Sequence, residues 1–289
     1  MILNDNRLYA VTHEQITVWD ASTEAQIAAK QMPGRDVSRC VLSLVVSDDK
    51  LFVGCNDGTV HVCTTSDYSA ITTLILPTKE KDQVDPAVWS LAMYKCRLFV
   101  GRDNGTIAVF NTDASPMTRM RSLGVHDNDK SEYYTPWVRC LKIHDGKLYS
   151  TGSGDTTIKI WDCNNDSFEH LGTLTEHLEG IASLAIYNDQ LISGSSDRIC
   201  IWSCKDHSLI ATLDTGGDYL SVHNDILYVS SYVDICMWDL STHQRIDIAK
   251  LETAKMATEY VGGLATYKGK LFSAHAGGII KVFECEGLS

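Results

Sequence analysis

The residues of this chain that could bind a metal ion or take part in redox chemistry are its ten cysteines and ten histidines. A zinc or redox site needs closely paired cysteines, such as C-x-x-C, or histidines at matching intervals, and neither pattern occurs. Cys200 and Cys204 are the most suggestive pair, but they straddle the end of an apolar run without a further ligand nearby. In such runs a free thiol packs as a small hydrophobic group. The sequence therefore predicts no metal site and no cofactor.

Catalytic motifs are also missing. The chain has no G-x-S-x-G elbow, no P-loop and no H-E-x-x-H motif. His13-Glu14 and His126-Asp127 are acid–base neighbours without a suitably spaced nucleophile. The segment 152–155 precedes a strand, so it lacks the helix N-terminus that would cradle a phosphate. Asp155 and Asp197 lie in tight turns and could in principle act as general acids.

Charge and hydropathy exclude two partner classes. The formal net charge is −12, and the longest basic cluster, 79–81, is interrupted by a glutamate. Nucleic-acid binders carry a basic stripe instead, so we predict no nucleic-acid partner. No run approaches the roughly 18 apolar residues of a membrane helix, so we predict no membrane insertion. Because the N-terminus does not resemble a signal peptide and the thiols are free, we expect a cytoplasmic or nuclear protein. Its oligomeric state is left open.

The elements that must position these residues repeat along the chain. A leucine followed by an aromatic or aliphatic residue recurs at intervals of 36 to 50 residues. The seven leucines are Leu8, Leu51, Leu98, Leu148, Leu191, Leu227 and Leu271. An average interval of about 44 residues is typical of a propeller blade made of four strands.

Each repeat has the pattern of four short strands, which we call a to d. In the fourth repeat they are expected at 138–146, 147–153, 156–162 and 170–177. The alternation in 158–161 indicates a strand with one face buried more deeply than the other. The sequence therefore predicts an all-β, seven-bladed β-propeller of four-stranded antiparallel blades, forming a single domain over 1–289. The blades are expected at about 1–34, 35–80, 81–125, 126–175, 176–214, 215–252 and 253–289.

Closure of the last blade is uncertain from sequence. The first residues fall partway into strand a of the first blade, and the sequence stops just after strand c of the seventh. We expect either an incomplete closing blade or a sequence cut from a longer protein.

The segment 147–162, KLYSTGSGDTTIKIWD, resembles the signature of the WD40-repeat family, with Trp161-Asp162 as the eponymous dipeptide. The resemblance spans nearly the whole chain and extends to propellers at the C-termini of certain ubiquitin ligases and protein kinases. Matching dipeptides are Trp19-Asp20 and Trp238-Asp239, Trp202-Ser203 is a near match, and related positions hold Cys63, Phe110 and Phe283.

The resemblance implies a buried hydrogen-bond chain in each blade that involves a histidine, a hydroxyl residue, an aspartate and the tryptophan. Such a chain would make Asp155 and Asp197 structural, so we predict that the protein is not an enzyme. The matching sets are His177, Ser193, Asp197 and Trp202 in the fifth blade, and Thr151, Asp155 and Trp161 with His126 in the fourth. We expect these two blades to be the most rigid.

The resemblance also implies a scaffold or adaptor that binds other proteins, as peptide segments that are possibly basic, on its top rim. That rim consists of the d–a loops and the b–c turns. The candidate binding residues there are Leu42, Trp89, Trp137, Arg139, Asp218 and Tyr260, with Tyr133 and Tyr134 in the long insertion 126–136. Trp89 and Trp137 matter most, because neither occupies the strand c position and exposed tryptophan often carries interface energy.

Alternatives remain open from sequence alone. Either tryptophan could pack under its own loop, and the two rims carry similar negative charge. The chain could be a targeting propeller from a larger ubiquitin ligase or kinase. It could also be a propeller enzyme or small-molecule binder, which would require converging polar groups at the channel mouth. Small residues such as Ser43, Ala182 and Gly262 argue against this last alternative.

Overall fold

The computed structural model describes residues 1–11, 15–31, 41–76, 86–124, 137–231, 235–246, 261–275 and 278–285. Every regular element in these ranges is a β-strand, and the strands form seven antiparallel sheets.

The strands of the first four sheets follow the chain in simple up-and-down order. Blade 1 has β1 (Ile2–Asn4), β2 (Arg7–Val11), β3 (Gln15–Asp20) and β4 (Gln26–Gln31), and blade 2 has β5 (Val41–Ser47), β6 (Lys50–Cys55), β7 (Thr59–Thr64) and β8 (Ala70–Ile75). Blade 3 has β9 (Val88–Tyr94), β10 (Arg97–Arg102), β11 (Thr106–Asn111) and β12 (Thr118–Gly124), and blade 4 has β13 (Val138–His144), β14 (Lys147–Gly152), β15 (Thr157–Asp162) and β16 (His170–Thr175).

The remaining three sheets continue the pattern. Blade 5 has β17 (Ile181–Tyr187), β18 (Gln190–Ser195), β19 (Ile199–Ser203) and β20 (Leu209–Leu213). Blade 6 has β21 (Tyr219–His223), β22 (Ile226–Ser230), β23 (Ile235–Asp239) and β24 (Gln244–Ile246), and blade 7 has β25 (Val261–Tyr267), β26 (Lys270–His275) and β27 (Ile280–Glu284).

The predicted fold class is confirmed: the chain is an all-β, seven-bladed β-propeller. Every sheet lies inside its predicted range, and within the described residues six blades have four strands and blade 7 has three. Blades 2–4 form one compact unit, and blade 1 with blades 5–7 forms a second. That the chain is a single domain remains a prediction.

The recurring leucine of strand b lies at the centre of every blade. All seven leucines are at most 1% exposed. Each is paired in register with the predicted strand c position, although this position holds three different residue types. The pairs are Leu8 with Trp19, Leu51 with Cys63, Leu98 with Phe110, Leu148 with Trp161, Leu191 with Trp202, Leu227 with Trp238, and Leu271 with Phe283.

A second repeated contact joins the end of strand c to the a–b turn. The backbone N–H two residues after the strand c position donates to a carbonyl in that turn in all seven blades. The donors are Ala21, Thr65, Thr112, Cys163, Cys204, Leu240 and Cys285. Such backbone bonds depend little on side-chain identity, which explains how blades without the tryptophan keep the same geometry.

In blades 2 and 3 a strand b glycine lies close against the next blade. A β-carbon on Gly101 would lie 2.3 Å from the Ser90 hydroxyl and 2.7 Å from a methyl of Val138 in the next blade. The Ser90 hydroxyl itself donates to the Val138 carbonyl over 2.7 Å. Blade 2 repeats the arrangement with Gly54, whose added β-carbon would meet Val88 at 2.4 Å. No residue larger than glycine fits without moving one blade away from the next.

We predict that Gly101→Ala lowers the free energy of unfolding by about 1–3 kcal/mol, because overpacking forces the backbone to shift. Gly172→Ala is the matched control, since a β-carbon there meets nothing within 4 Å. Its effect should be neutral or stabilising by up to about 1 kcal/mol. Denaturant titration of both variants measures the difference, and equal stabilities would contradict the close-approach argument.

Candidate interaction site

The candidate site lies on β-bulges at the start of strand a in blades 2–4. The register shifts by one residue between Val41 and Ser43, at the end of the β9–β10 pairing, and between Val138 and Cys140. A bulge leaves its extra residue outside the ladder and re-aims that side chain. The three re-aimed residues are Leu42, Trp89 and Arg139, and all are half-buried.

Trp89 and Trp137 pack against each other. Their ring centroids are 4.3 Å apart and their planes differ by 10°, so the indoles are stacked. The Arg139 guanidinium lies 5.9 Å from the Trp89 ring, within cation–π range. All three side chains are half-buried. Stacking and cation–π contacts contribute roughly 0.5–1.5 kcal/mol each, which favours a fixed surface.

One polar group of this aromatic pair is unsatisfied. The Trp89 Nε1 atom is buried and has no hydrogen-bond partner within the described residues. Leaving a buried donor unpaired costs about 1–3 kcal/mol.

The other predicted binding residues are not brought to this site by the described structure. Leu42 occupies the equivalent bulge in blade 2. Asp218 belongs to the other compact unit, where β21 pairs with β22 without a bulge and the Asp218 N–H donates to the Ser230 carbonyl. Tyr133, Tyr134 and Tyr260 lie outside the described residues, as does His126.

In blade 5 the four predicted network residues are in contact. His177 Nε2 lies 2.7 Å from the Ser193 hydroxyl, and Trp202 Nε1 donates to the same oxygen over 2.9 Å. His177 Nδ1 lies 3.4 Å from the Asp197 carboxylate, which also accepts from the Leu178 N–H and from Arg198. Burial raises the pKa of Asp197, but hydrogen bonds from Ser195, Leu178 and His177 outweigh it and leave that pKa below its ordinary value of 3.8.

Blade 4 requires a correction at one predicted position. Trp161 Nε1 donates to the Ser150 hydroxyl over 3.0 Å, and not to the expected Thr151. Ser150 and Ser193 both lie two residues after the recurring leucine, whereas Thr151 lies three after it. Because successive side chains of a strand point to opposite faces, only the former position faces the tryptophan.

In each of blades 2–4 the polar residue of the b–c turn accepts hydrogen bonds from a threonine two positions later. Asp155 accepts from the backbone and hydroxyl of Thr157 and from Lys159, whose ammonium lies 2.9 Å away. Asp57 in blade 2 and Asn104 in blade 3 accept the same two bonds from a threonine. In all three turns the carboxylate or amide oxygen is held by donors from the strand that follows, and the predicted participation of Asp155 in a chain with Trp161 stays a prediction.

Sequence analysis missed the basic residues that support these turns. The buried His61 contacts Thr59 and Thr73 in blade 2. The buried Arg102 donates twice to the Thr106 hydroxyl in blade 3. In the sequence, Arg102 directly precedes the turn of blade 3, whereas His61 lies two positions after the turn threonine of blade 2. The basic residue thus has no fixed position in the repeat.

Two tryptophans of the recurring strand c position have no acceptor. Trp19 Nε1 and Trp238 Nε1 are buried and unpaired within the described residues. In these blades the acceptor position, two residues after the leucine, holds Ala10 and Val229 in place of serine. The indole N–H is therefore unsatisfied because the hydroxyl residue is missing.

The described residues contain no group of three or more histidine, cysteine or acidic side chains placed to hold a metal ion. No helix among them is long and apolar enough to cross a membrane.

Comparison with protein families gives one match. The model described as "WD domain, G-beta repeat" matches residues 129–162. This range contains the strands b and c of blade 4 that carry the signature.

Three curated proteins are similar to parts of the chain. Pre-mRNA-splicing factor PRP46 of Candida albicans is 42% identical over 66 residues, which is 22% of this chain and 16% of that protein. Zinc finger CCCH domain-containing protein 62 of Arabidopsis thaliana is 30% identical over 60% of this chain and 38% of its own length. Mitochondrial division protein 1 of Eremothecium gossypii is 31% identical over 28% of this chain and 13% of its own length. The chain thus spans well under half of each relative.

Two solved structures share the fold. The computationally designed Ika8 protein aligns over 98% of this chain and 82% of its own, with a TM-score of 0.70 and 18% identity. A chain of the mitotic checkpoint complex aligns over 96% of this chain and 83% of its own, with a TM-score of 0.74 and 17% identity. At such identities the likeness establishes the fold alone.

We predict that an introduced threonine hydroxyl can accept a hydrogen bond from the unpaired Trp238 indole of blade 6. Val229→Thr places an acceptor beside Trp238, so its cost should be within about 0.5 kcal/mol of zero. Val100→Thr is the matched control, because the same position in blade 3 pairs with Ala108 and the strand c position holds Phe110, so no indole donor is offered. That variant should lose about 1–3 kcal/mol, since it buries an unpaired hydroxyl. Similar losses in urea titrations of the two variants would contradict the assignment.

We predict an acid-sensitive contribution from Asp197. A carboxyl whose pKa is lower in the folded state stabilises the fold above its unfolded pKa, and this contribution disappears as pH falls through the folded pKa. Asp197→Asn should therefore be less stable than the parent at neutral pH, with the gap closing below about pH 4. Melting temperatures across this range test the prediction, and a gap that does not change with pH would show that the charge is unimportant.

Proposed function

We propose that this WD40-repeat β-propeller binds a segment of another protein at the surface formed by Trp89, Trp137 and Arg139. WD40 propellers are generally protein-interaction scaffolds without catalytic activity, and this chain carries the family signature at 129–162. The observation that carries the proposal is the stacked pair of half-buried indoles with one unsatisfied N–H.

The residue types fit a binding surface better than a structural core. Tryptophan and arginine are the residues in which interface energy most often concentrates. Neither Trp89 nor Trp137 pairs with the recurring leucine, so blade geometry does not require them. Bulges hold Trp89 and Arg139 on rigid strands, so little side-chain entropy is lost on binding.

The partner is proposed to be a peptide or protein segment that is neutral or basic. The net charge of −12 favours a basic partner electrostatically, and the exposed parts of the two indoles offer apolar contact to a neutral one. A nuclear or cytoplasmic location fits this role, and one relative is named as a splicing factor.

A narrower form of the proposal is that the propeller targets a larger assembly. The chain matches only 13–38% of the length of its three named relatives, so similar sequence occurs within larger proteins. A targeting module of a ubiquitin ligase or kinase would be one such case.

We predict that Trp89→Ala, Trp137→Ala and Arg139→Glu each remove the same partners in affinity purification with mass spectrometry. Lys205→Glu is the control, because it reverses an exposed charge far along the chain in a blade 5 loop. Truncating a central interface tryptophan typically costs about 2 kcal/mol or more, which is roughly thirtyfold in affinity. Circular dichroism and melting must show that each variant folds. If the folded variants kept the same partners, the proposed binding site would be wrong.

A further inference from the structure

Two junctions between neighbouring blades are bridged by an ion pair of the same kind. The basic member is the first residue of a strand b, and the acidic member lies in the c–d loop of the next blade. Arg97, which begins β10 of blade 3, donates Nη2 to the Asp166 carboxylate of blade 4 over 2.6 Å. Lys270, which begins β26 of blade 7, pairs with Glu24 of blade 1. The first residue of strand b is therefore a position from which one blade holds the next.

The junction between blades 2 and 3 has the basic member of this bridge without the acidic one. Lys50 begins β6 as Arg97 begins β10. Among the described residues the Lys50 ammonium makes no ion pair. It lines a polar hollow of about 440 Å³, whose other charged lining residues are Asp48, Lys95 and Asp113. Because Asp113 belongs to the c–d loop of blade 3, Lys50 lies beside the loop that would have to supply the missing acid.

The c–d loops of blades 3 and 4 correspond residue by residue. Each begins with the same turn, in which a side-chain oxygen accepts from the backbone N–H two residues later, at Asp113 and at Asn164. Each also ends in the same register of strands c and d. The matching cross-strand pairs are Phe110 with Arg119 and Trp161 with His170.

Ser115 therefore occupies the place of Asp166. Two positions later, Met117 packs on the core of its junction as Phe168 does on the core of the next. Ser115 is exposed and is followed directly by a proline. A neutral hydroxyl cannot form an ion pair with Lys50, but a phosphoserine carries nearly two negative charges and three acceptor oxygens.

We propose that Ser115 is a phosphorylation site for a proline-directed protein kinase, and that its phosphate pairs with Lys50 to bridge blades 2 and 3. Such kinases modify a serine or threonine that a proline follows. The γ-phosphoryl group of ATP is transferred to the Ser115 Oγ atom. The Oγ–P bond forms, the bond from the γ-phosphorus to its bridging oxygen breaks, ADP leaves, and the hydroxyl proton passes to the catalytic base of the kinase.

The charges around the loop determine the size of the effect. Lys50 and Lys95 attract the phosphate, whereas Asp48 and Asp113 repel it. Contact with Lys50 favours the bridge, because Coulomb attraction is greatest at contact. Since the bridge is exposed, its contribution to stability is small and falls with added salt. The inference does not depend on the function proposed for the tryptophan pair.

The first experiment is phosphorylation of the full chain by a purified cyclin-dependent kinase with magnesium and ATP. Because Thr135-Pro136 is a second candidate, the chain carries Thr135→Ala throughout. Site-resolved mass spectrometry should find a phosphate on Ser115, and Pro116→Ala should lose it. Circular dichroism confirms that the chain is folded. A folded chain whose Ser115 stays unmodified would overturn the proposal.

The second experiment tests the pairing with Lys50. At low ionic strength the phosphorylated chain should melt about 1–3 °C above the unphosphorylated one, and the difference should shrink as salt is added. Lys50→Gln should abolish the difference, whereas Lys205→Gln, which removes an exposed charge in blade 5, should preserve it. Each variant is compared with its own unphosphorylated form, so that the effect of the substitution on folding cancels. No rise in the parent chain, or the same rise in Lys50→Gln, would show that the phosphate does not bridge the blades.

Discussion

The close approach of neighbouring blades at a strand b glycine is the constraint on which the rest of the structure depends. At Gly101 the next blade's Val138 occupies the space that a β-carbon would need, and the Ser90 hydroxyl fastens the two strands. Gly54 repeats the contact in blade 2. In the other unit, Gly194 lies against the Gly217 carbonyl in the same way. At these three junctions the neighbouring blade leaves no room for a β-carbon, which fixes the distance between the two sheets.

This constraint leaves the interior of each blade free to vary. The recurring leucine is always buried, while its partner is tryptophan, cysteine or phenylalanine. A serine acceptor accompanies Trp161 and Trp202, but Trp19 and Trp238 have none. An unpaired indole is tolerated because backbone bonds and leucine packing already define the blade. Stability is therefore distributed unevenly among repeats of similar shape.

The same framework produces binding features at both ends of the blades. Bulges at the start of strand a re-aim one residue in each of blades 2–4, and in blade 3 that residue is a tryptophan stacked on another. At the opposite end, the c–d loop of blade 4 fills its junction with an acid and an aromatic ring. The junction before it lacks both and keeps a hollow. A departure from the repeat, rather than the repeat itself, thus marks the surface at Trp89 and Trp137 that we propose to bind a partner.

The sequence by itself determined the number of blades and the class of the fold. The spacing of the leucines suffices for this, because each blade buries one such leucine and the number of leucines therefore gives the number of blades. The tertiary structure decided which side chains meet. The Trp89–Trp137 stack joins residues 48 positions apart in neighbouring blades, and no local pattern encodes that distance. Whether Ser150 or Thr151 faces Trp161 depends on a one-residue register, which reverses the face of every side chain in a strand. The hollow beside Lys50 depends on how a loop of one blade packs on another, because a period specifies the repeated backbone and not the contacts where the repeats differ.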